Sequence, residues 1–366
     1  MRIFEEMESE VRGYVRSFPA IFDKAHGSEI FDEHGNRYLD FFAGAGTLNY
    51  GHNNPLITDA LIEYLQGGGI VHGLDKATVA KRAFLTKLRD TILVPRNLQY
   101  KVQFTGPTGT NAVETAMKLA RMVKQRSNII AFTNGYHGLT LGALAVTGNY
   151  DYKDESYGSR SNTAFMPYDG FLGPGVDTID YMRRFLEDGS SGVDLPAAII
   201  LETVQGEGGI NIAGIEWLQK LEALCREFDI LLIVDDIQVG NGRTGTFFSF
   251  ERAGIYPDMV TLSKSIGGGL PMALLLMRPD LDQWQPGEHT GTFRGNNLAF
   301  VAATQALGYW DNEDLARVVQ RNGELLDTEL HRIVDKYPQL NPCARGVGMV
   351  WGLELPQPGV AGEASS

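Results

Sequence analysis

Along most of this chain, short apolar runs with few charges alternate with longer stretches in which apolar residues recur every three or four positions. The runs are 102–104, 129–132, 197–201, 230–234, 259–262 and 273–277. Runs this short and this apolar predict strands buried on both faces, as in a parallel sheet. Between two of them, residues 215–228 carry a helical period, with Ile215, Leu218, Leu221, Leu224, Cys225 and Phe228 on one face. Such alternation predicts an α/β domain whose mostly parallel sheet is covered by helices on both sides.

The ends of the chain read differently. Residues 30–40 predict two short antiparallel strands about the turn Glu33-His34-Gly35-Asn36. Residues 298–310 predict a connecting helix, 315–334 another, and 348–355 a strand close to the final PQPGVAGEASS. Taken as domains, 1–50 is an N-terminal segment with part of a small domain, 51–297 a large ligand-binding domain, and 298–366 the connecting helix and a small α+β domain expected to be incomplete at its C-terminal end.

Composition narrows the class. With 366 residues, 43% of them hydrophobic, the chain can bury a core large enough for two lobes. A net charge of -13 excludes nucleic acid as a main partner, because phosphate contacts need a concentrated basic surface, and points to small-molecule ligands. The N-terminus lacks the apolar stretch of a signal peptide, no run approaches a membrane span, and the two cysteines, Cys225 and Cys343, form no C-x-x-C pair. These features predict a cytoplasmic protein without a disulfide framework.

Ligands of open α/β sheets bind beyond the carboxyl ends of the strands, so the residues after each run carry the chemistry. After 102–104 comes TGPTGTN, residues 105–111, feeding a helix. A turn of this kind presents free N–H groups and the positive end of the helix dipole to a phosphate, or serves as an ordinary N-cap through Thr110 or Asn111. After 230–234 come Asp235 and Asp236, acids that are costly to bury without partners. After 259–262 comes Lys264, with no charged residue within four positions and three glycines, Gly267 to Gly269, behind it. A desolvated lysine is a good amine nucleophile toward a carbonyl.

Together, a phosphate cradle, a buried Asp and a lone Lys describe a pyridoxal phosphate site, in which the Asp keeps a ring nitrogen protonated and the Lys holds the aldehyde. Tyr136 and His137, after 129–132, add an aromatic face for a flat ring, or else pack in the core. No paired-His spacing occurs among the seven histidines, so no metal is expected. Residues 240–245, GNGRTG, match G-x-G-x-x-G, but no strand leads directly into them and no small-residue helix follows, so a dinucleotide site is not expected.

The run from Leu231 to Pro271, with GPTGTNAVETAMKLAR, ETVQGEGG and GTFRGNN in the same order, resembles the class III (ω-amino acid) aminotransferases, which are fold type I pyridoxal-phosphate enzymes. The resemblance implies that Lys264 binds the cofactor aldehyde and moves the substrate proton, and that Asp235 pairs with the ring nitrogen. By the same resemblance Gln238 lies near the phenolic oxygen, Ile237 under the ring, Gly109 and Thr110 at the phosphate, and Tyr136, with His137, at the ring. Thr292 would reach the phosphate of a neighbouring subunit, making a homodimer or a higher homo-oligomer the active unit. Glu207 would be the movable gate at the substrate. Finer agreement, including Asn111, Thr203, Asp236 and Arg294, is similar to the diaminobutyrate-forming subgroup, which implies amino transfer from glutamate to aspartate 4-semialdehyde at the start of ectoine biosynthesis under osmotic stress. Relatives using ornithine or 4-aminobutyrate, and a cofactor-binding protein without activity, are the competing readings. Arg160 and Arg243 are the arginines available for a substrate carboxylate.

Overall fold

The computed structural model describes residues 2–157, 161–312 and 314–356. After two short helical segments, Arg2–Met7 and Tyr14–Ser17, comes a three-stranded antiparallel unit, β1 (Phe22–His26), β2 (Glu29–Asp32) and β3 (Arg37–Leu39). Asp32 closes its turn by accepting from the backbone N–H of His34 at 3.0 Å and of Asn36 at 2.8 Å. The expected strand pair is present, extended by β1, which lies upstream of the residues read as strand. Two helices, α1 (Pro55–Gln66) and α2 (Val79–Lys87), lead into the main domain.

The apolar runs form one seven-stranded sheet. In chain order its parts are β4 (Lys101–Phe104), α3 (Gly109–Lys124), β5 (Ile129–Phe132), α4 (Leu141–Val146), β6 (Thr163–Met166), α5 (Thr178–Glu187) and β7 (Ala198–Leu201). A two-stranded ribbon, β8 (Val204–Gln205) and β9 (Asn211–Ile212), precedes α6 (Ile215–Glu227), β10 (Leu231–Asp235), β11 (Met259–Leu262) and β12 (Leu274–Met277). The strand order is β4-β12-β11-β10-β7-β5-β6. Four of the six pairings are parallel, in keeping with the mostly parallel sheet expected, and β12 is antiparallel to both its neighbours. The segment between β11 and β12 is too short for a helical crossover, so the chain turns back and pairs in reverse.

Alternate residues of the strands feed two cores. Ile130, Ile199, Leu232, Val260 and Leu274 face one, with Trp217, Leu218, Leu221 and Leu224 of α6. Ile129, Ile200, Ile233, Met259 and Leu275 face the other, with Val113, Ala116, Met117 and Ala120 of α3. Burial on both faces is why these strands show no polar alternation. On α6 the expected face is altered at one end: Ile215 is exposed, while Trp217 is buried, its ring packed 5.2 Å from Phe132.

Past the sheet come the helices α7 (Asn297–Gly308) and α8 (Asp314–Lys336). Read from sequence as a connector, α7 is also a core element: Ala299, Phe300, Ala303 and Leu307 are buried, and it packs on α1 and α2. A hairpin, β13 (Cys343–Val347) and β14 (Val350–Glu354), packs on α8. No described helix is long and apolar enough to cross a membrane.

Candidate active site

Pairing in the sheet brings distant residues to one end of it. In the parallel pair β10–β11, Asp235 sits beside Thr261, and Thr261 Oγ1 donates to Asp235 Oδ1 at 3.1 Å. Lys264 follows on the same side, three residues past Thr261. In β10–β7, Val234 lies beside Leu201, so Glu202 comes next to Asp235. The loop after β5 crosses the same end and delivers Tyr136 and His137.

Asp235 is buried with three partners. Besides Thr261, His137 Nδ1 donates to its Oδ2 at 2.7 Å, and the Ile237 N–H to its Oδ1 at 3.2 Å. His137 is itself buried. Burial pushes its pKa down, but the hydrogen bond and charge of Asp235 outweigh this and hold it above its ordinary value. The Asp235 side chain is therefore pinned at a fixed position, with the His137 ring behind it. His137, expected at the ring face, is a partner of Asp235 instead.

Lys264 is half-buried and adopts φ 51°, a left-handed conformation that is costly for a side chain of this kind. Burial lowers its pKa against the opposing pull of Asp235, Glu207 and Glu202, so the amine is more easily neutral. Of the three glycines behind it, Gly268 has φ 62°, and a Cβ there would lie 2.9 Å from the backbone of Ala302. The glycines let the lysine turn seat directly on α7. Ser265 Oγ ties the same turn to the carbonyls of Gly46 and Thr47 at 2.9 and 3.0 Å.

The turn after β4 caps α3 through Thr108, not through Thr110 or Asn111: the Thr108 hydroxyl donates to Asn111 Oδ1 at 2.9 Å. Gly109 and Thr110 thus occupy the first turn, where N–H groups lack helical partners. Thr110 Oγ1 lies 2.5 Å from Thr140 Oγ1, and Thr140 donates to Glu114. Glycines hold the surrounding segments close. A Cβ at Gly109 would meet Ile237 at 2.9 Å, one at Gly138 would meet Thr110 at 2.6 Å, and one at Gly206 would meet Gln238 at 2.0 Å. Gln238 Nε2 donates to Glu207 Oε1 at 3.4 Å, and Glu207 is exposed. Tyr136 is half-buried, its ring edge-on to Tyr152 at 5.5 Å, and burial first, then neighbouring Tyr152 and Glu207, push its pKa up to about 12.

Lys264, Asp235, His137, Tyr136, Ile237, Gln238, Gly109, Thr110 and Glu207 are thus gathered around one end of the sheet. Thr292 is not part of this cluster: it is exposed, with its carbonyl 3.1 Å from His72 Nε2. Arg160 lies outside the described residues. Arg243 does approach: its charge is felt by Lys264, and its Nη2 donates to Asn49 Oδ1 at 2.6 Å while its buried Nε has no partner. Residues 240–245 form turns and no helix, which leaves the glycine pattern without a dinucleotide's helix N-terminus.

Sequence reading passed over Glu202. It is buried, accepts from the Tyr136 N–H at 2.9 Å and the Gly206 N–H at 3.3 Å, and burial raises its pKa to about 7, against the pull of His137 and with a further push from Asp235. The signal that singled out Asp235, an acid directly after a buried strand, was present at Glu202 too. Asp236 is likewise pushed to about 7 by burial, with the Ser249 N–H donating to it at 3.1 Å.

Residues 12–364 match the family described as Aminotransferase class-III. A diaminobutyrate–2-oxoglutarate transaminase of Wolinella succinogenes is 65% identical over 366 residues, spanning 100% of this chain and 86% of that protein. One from Halalkalibacterium halodurans is 55% identical over 367 residues, again spanning 100% and 86%. Among solved structures, the ornithine aminotransferase from Toxoplasma gondii superimposes with a TM-score of 0.82 at 28% identity, over 97% of this chain and 81% of that one.

Proposed function

This chain belongs to the class-III aminotransferases, which are pyridoxal-phosphate-dependent, and we propose that it transfers the amino group of L-glutamate to L-aspartate 4-semialdehyde. The products would be L-2,4-diaminobutyrate and 2-oxoglutarate, the two compounds in the names of its relatives, and the step would open ectoine biosynthesis. The observation that carries the reading is the pair formed by Lys264 and the pinned carboxylate of Asp235 at adjacent parallel strand ends, in a chain of this family.

The residues fit the cofactor. A phosphate needs N–H donors and close backbone approach, which the first turn of α3 and the Gly109 and Gly138 contacts supply. When bound, pyridoxal phosphate supplies an aldehyde that takes up the donor's amino group and a ring that spreads the charge left at a deprotonated carbon. In this reading Gly109 and Thr110 hold the phosphate, Ile237 and Tyr136 bound the ring, and Gln238 faces its hydroxyl side. Asp235, held in place by its three donors, would keep a proton on the ring nitrogen. Lys264 Nζ, more easily neutral through burial, would hold the aldehyde until the donor's amine displaces it, and the freed amine would then take the proton from the donor's Cα.

One pocket must accept glutamate, whose amine lies beside a carboxylate, and then an aldehyde at the far end of an amino acid. Glu207, exposed and held only by a long bond to Gln238, is suited to change partner between the two halves. Arg243, whose charge acts on Lys264, is our candidate for the carboxylate. Thr292, on an exposed loop, would complete the phosphate site of a second subunit in a homodimer. Two free cysteines are consistent with a cytoplasmic protein. The test is an absorbance spectrum with pyridoxal phosphate before and after glutamate, beside Lys264→Ala. A yellow band lost on adding glutamate, absent in the variant, and restored by aspartate 4-semialdehyde but not by the aldehydes derived from ornithine or 4-aminobutyrate, is expected. Restoration by one of those aldehydes alone would overturn the substrate assignment.

A further inference from the structure

The turn that carries Glu207, residues 206–210, is tied at both ends by side chains outside the family of groups assigned above. At its start the Gly206 N–H donates to Glu202 Oε1 at 3.3 Å, while the other oxygen of Glu202 accepts from Tyr136 at 2.9 Å. At its far end Arg345, on β13, reaches across from a different part of the fold. Its Nε donates to the Gly209 and Ile210 carbonyls at 2.9 and 3.0 Å, and its Nη2 to Gly209 at 2.6 Å. Nη1 of the same guanidinium is anchored on Glu354, which lies diagonally across the hairpin, opposite Cys343.

Between these ties the backbone has little freedom. A Cβ at Gly208 would lie 2.4 Å from the Asn134 carbonyl oxygen. Gly209 has φ 106° and Ile210 φ 57°, the latter a left-handed conformation that a β-branched residue adopts only when its surroundings enforce it. The Glu207 side chain, by contrast, is exposed and meets Gln238 only at 3.4 Å. A stiff backbone thus bears a loosely held carboxylate.

We propose that Arg345 and Glu202 are positioning residues that clamp the 206–210 turn, so that Glu207 changes partner by rotating its side chain and not by moving its loop. The consequence for amino transfer rests on the function proposed above; the clamp itself does not. The fork of the guanidinium is what the two adjacent carbonyls require, and a lysine ammonium, though equally charged, is a single point donor.

The experiment is hydrogen–deuterium exchange of the full chain with pyridoxal phosphate, comparing wild type with Arg345→Met, Arg345→Lys and Glu202→Gln. Arg345→Met is expected to speed exchange across 206–210 about tenfold, Arg345→Lys to fail to restore it, and β10 and β11 to stay protected. Glu202→Gln should speed exchange at Tyr136 as well as Gly206. In steady state, Arg345→Lys should raise KM for both substrates about tenfold while kcat changes less than about threefold, because Lys264 and Asp235 are untouched. Unchanged exchange at 206–210 in both Arg345 variants would overturn the proposal. So would a rise spread evenly over the chain, which reports lost stability alone. A wild-type chain that transfers no amino group would sink the proposed function and leave the exchange result to decide the clamp.

Discussion

Replacing Asp235 by Asn tests the centre of the site with almost no change of volume. The carboxylate accepts from His137, Thr261 and Ile237. An amide keeps one acceptor and turns an NH2 group toward one of these donors. A hydrogen bond to a charged group contributes about 1.5–3 kcal/mol net, so the variant should lose about 2 kcal/mol of stability at neutral pH. At 1.4 kcal/mol per factor of ten, the same loss at the ring nitrogen would slow the glutamate half-reaction by about 30-fold.

The pH dependence gives a sharper sign. In the wild type His137 is held above its ordinary value, so its contribution is fully present below the unfolded-state pKa of about 6.5 and is lost as pH rises through the higher folded value. Without Asp235, burial dominates and the imidazole resists protonation. Stability should then fall as pH drops below about 6.5, the opposite slope. The assay is urea unfolding of wild type and Asp235→Asn between about pH 5.5 and 8, with single-turnover absorbance for the half-reaction. Parallel stability curves, or an unchanged half-reaction rate, would refute the assignment of the His137–Asp235 pair.

Three further outcomes are expected. Lys264→Gly and Lys264→Ala should both abolish amino transfer, yet the glycine variant should be the more stable by about 1 kcal/mol in thermal unfolding, since only it adopts φ 51° without strain. Gly138→Ala, at φ 120° with a Cβ 2.6 Å from Thr110 Oγ1, should displace the first turn of α3 and weaken pyridoxal phosphate binding by at least about tenfold in a fluorescence titration. Asp236, raised to about 7, loses stability for the wild type as pH rises from its ordinary range to neutrality; Asp236→Asn has no such proton to lose and should gain about 2 kcal/mol relative to wild type above pH 7, read by urea unfolding.

Much of the site was legible because its chemistry sits in positions where sequence leaves few options. Lys264 is the only charge in its neighbourhood, and Asp235 follows an apolar run directly; a buried ionisable group at a strand end is expensive enough to advertise a purpose. The strand runs themselves were visible because both faces are buried, which removes the polar alternation that would otherwise obscure them.

Tertiary structure decided what local pattern cannot carry. The reversal of β12 follows from a connection too short for a crossover, a fact about pairing and not about composition. Glu202 carried the same strand-end signal as Asp235, but only strand order brought the two side by side and gave each its partners. His137 looked like a ring-face residue until the loop after β5 turned it onto Asp235. Arg345 gave no sign at all, because its role depends on a hairpin more than a hundred residues away closing on the Glu207 turn. The sequence by itself determined which groups are reactive and which runs are buried, since both follow from desolvation cost. The fold determined who faces whom, since hydrogen bonds and ion pairs act over a few ångströms and are blind to distance along the chain.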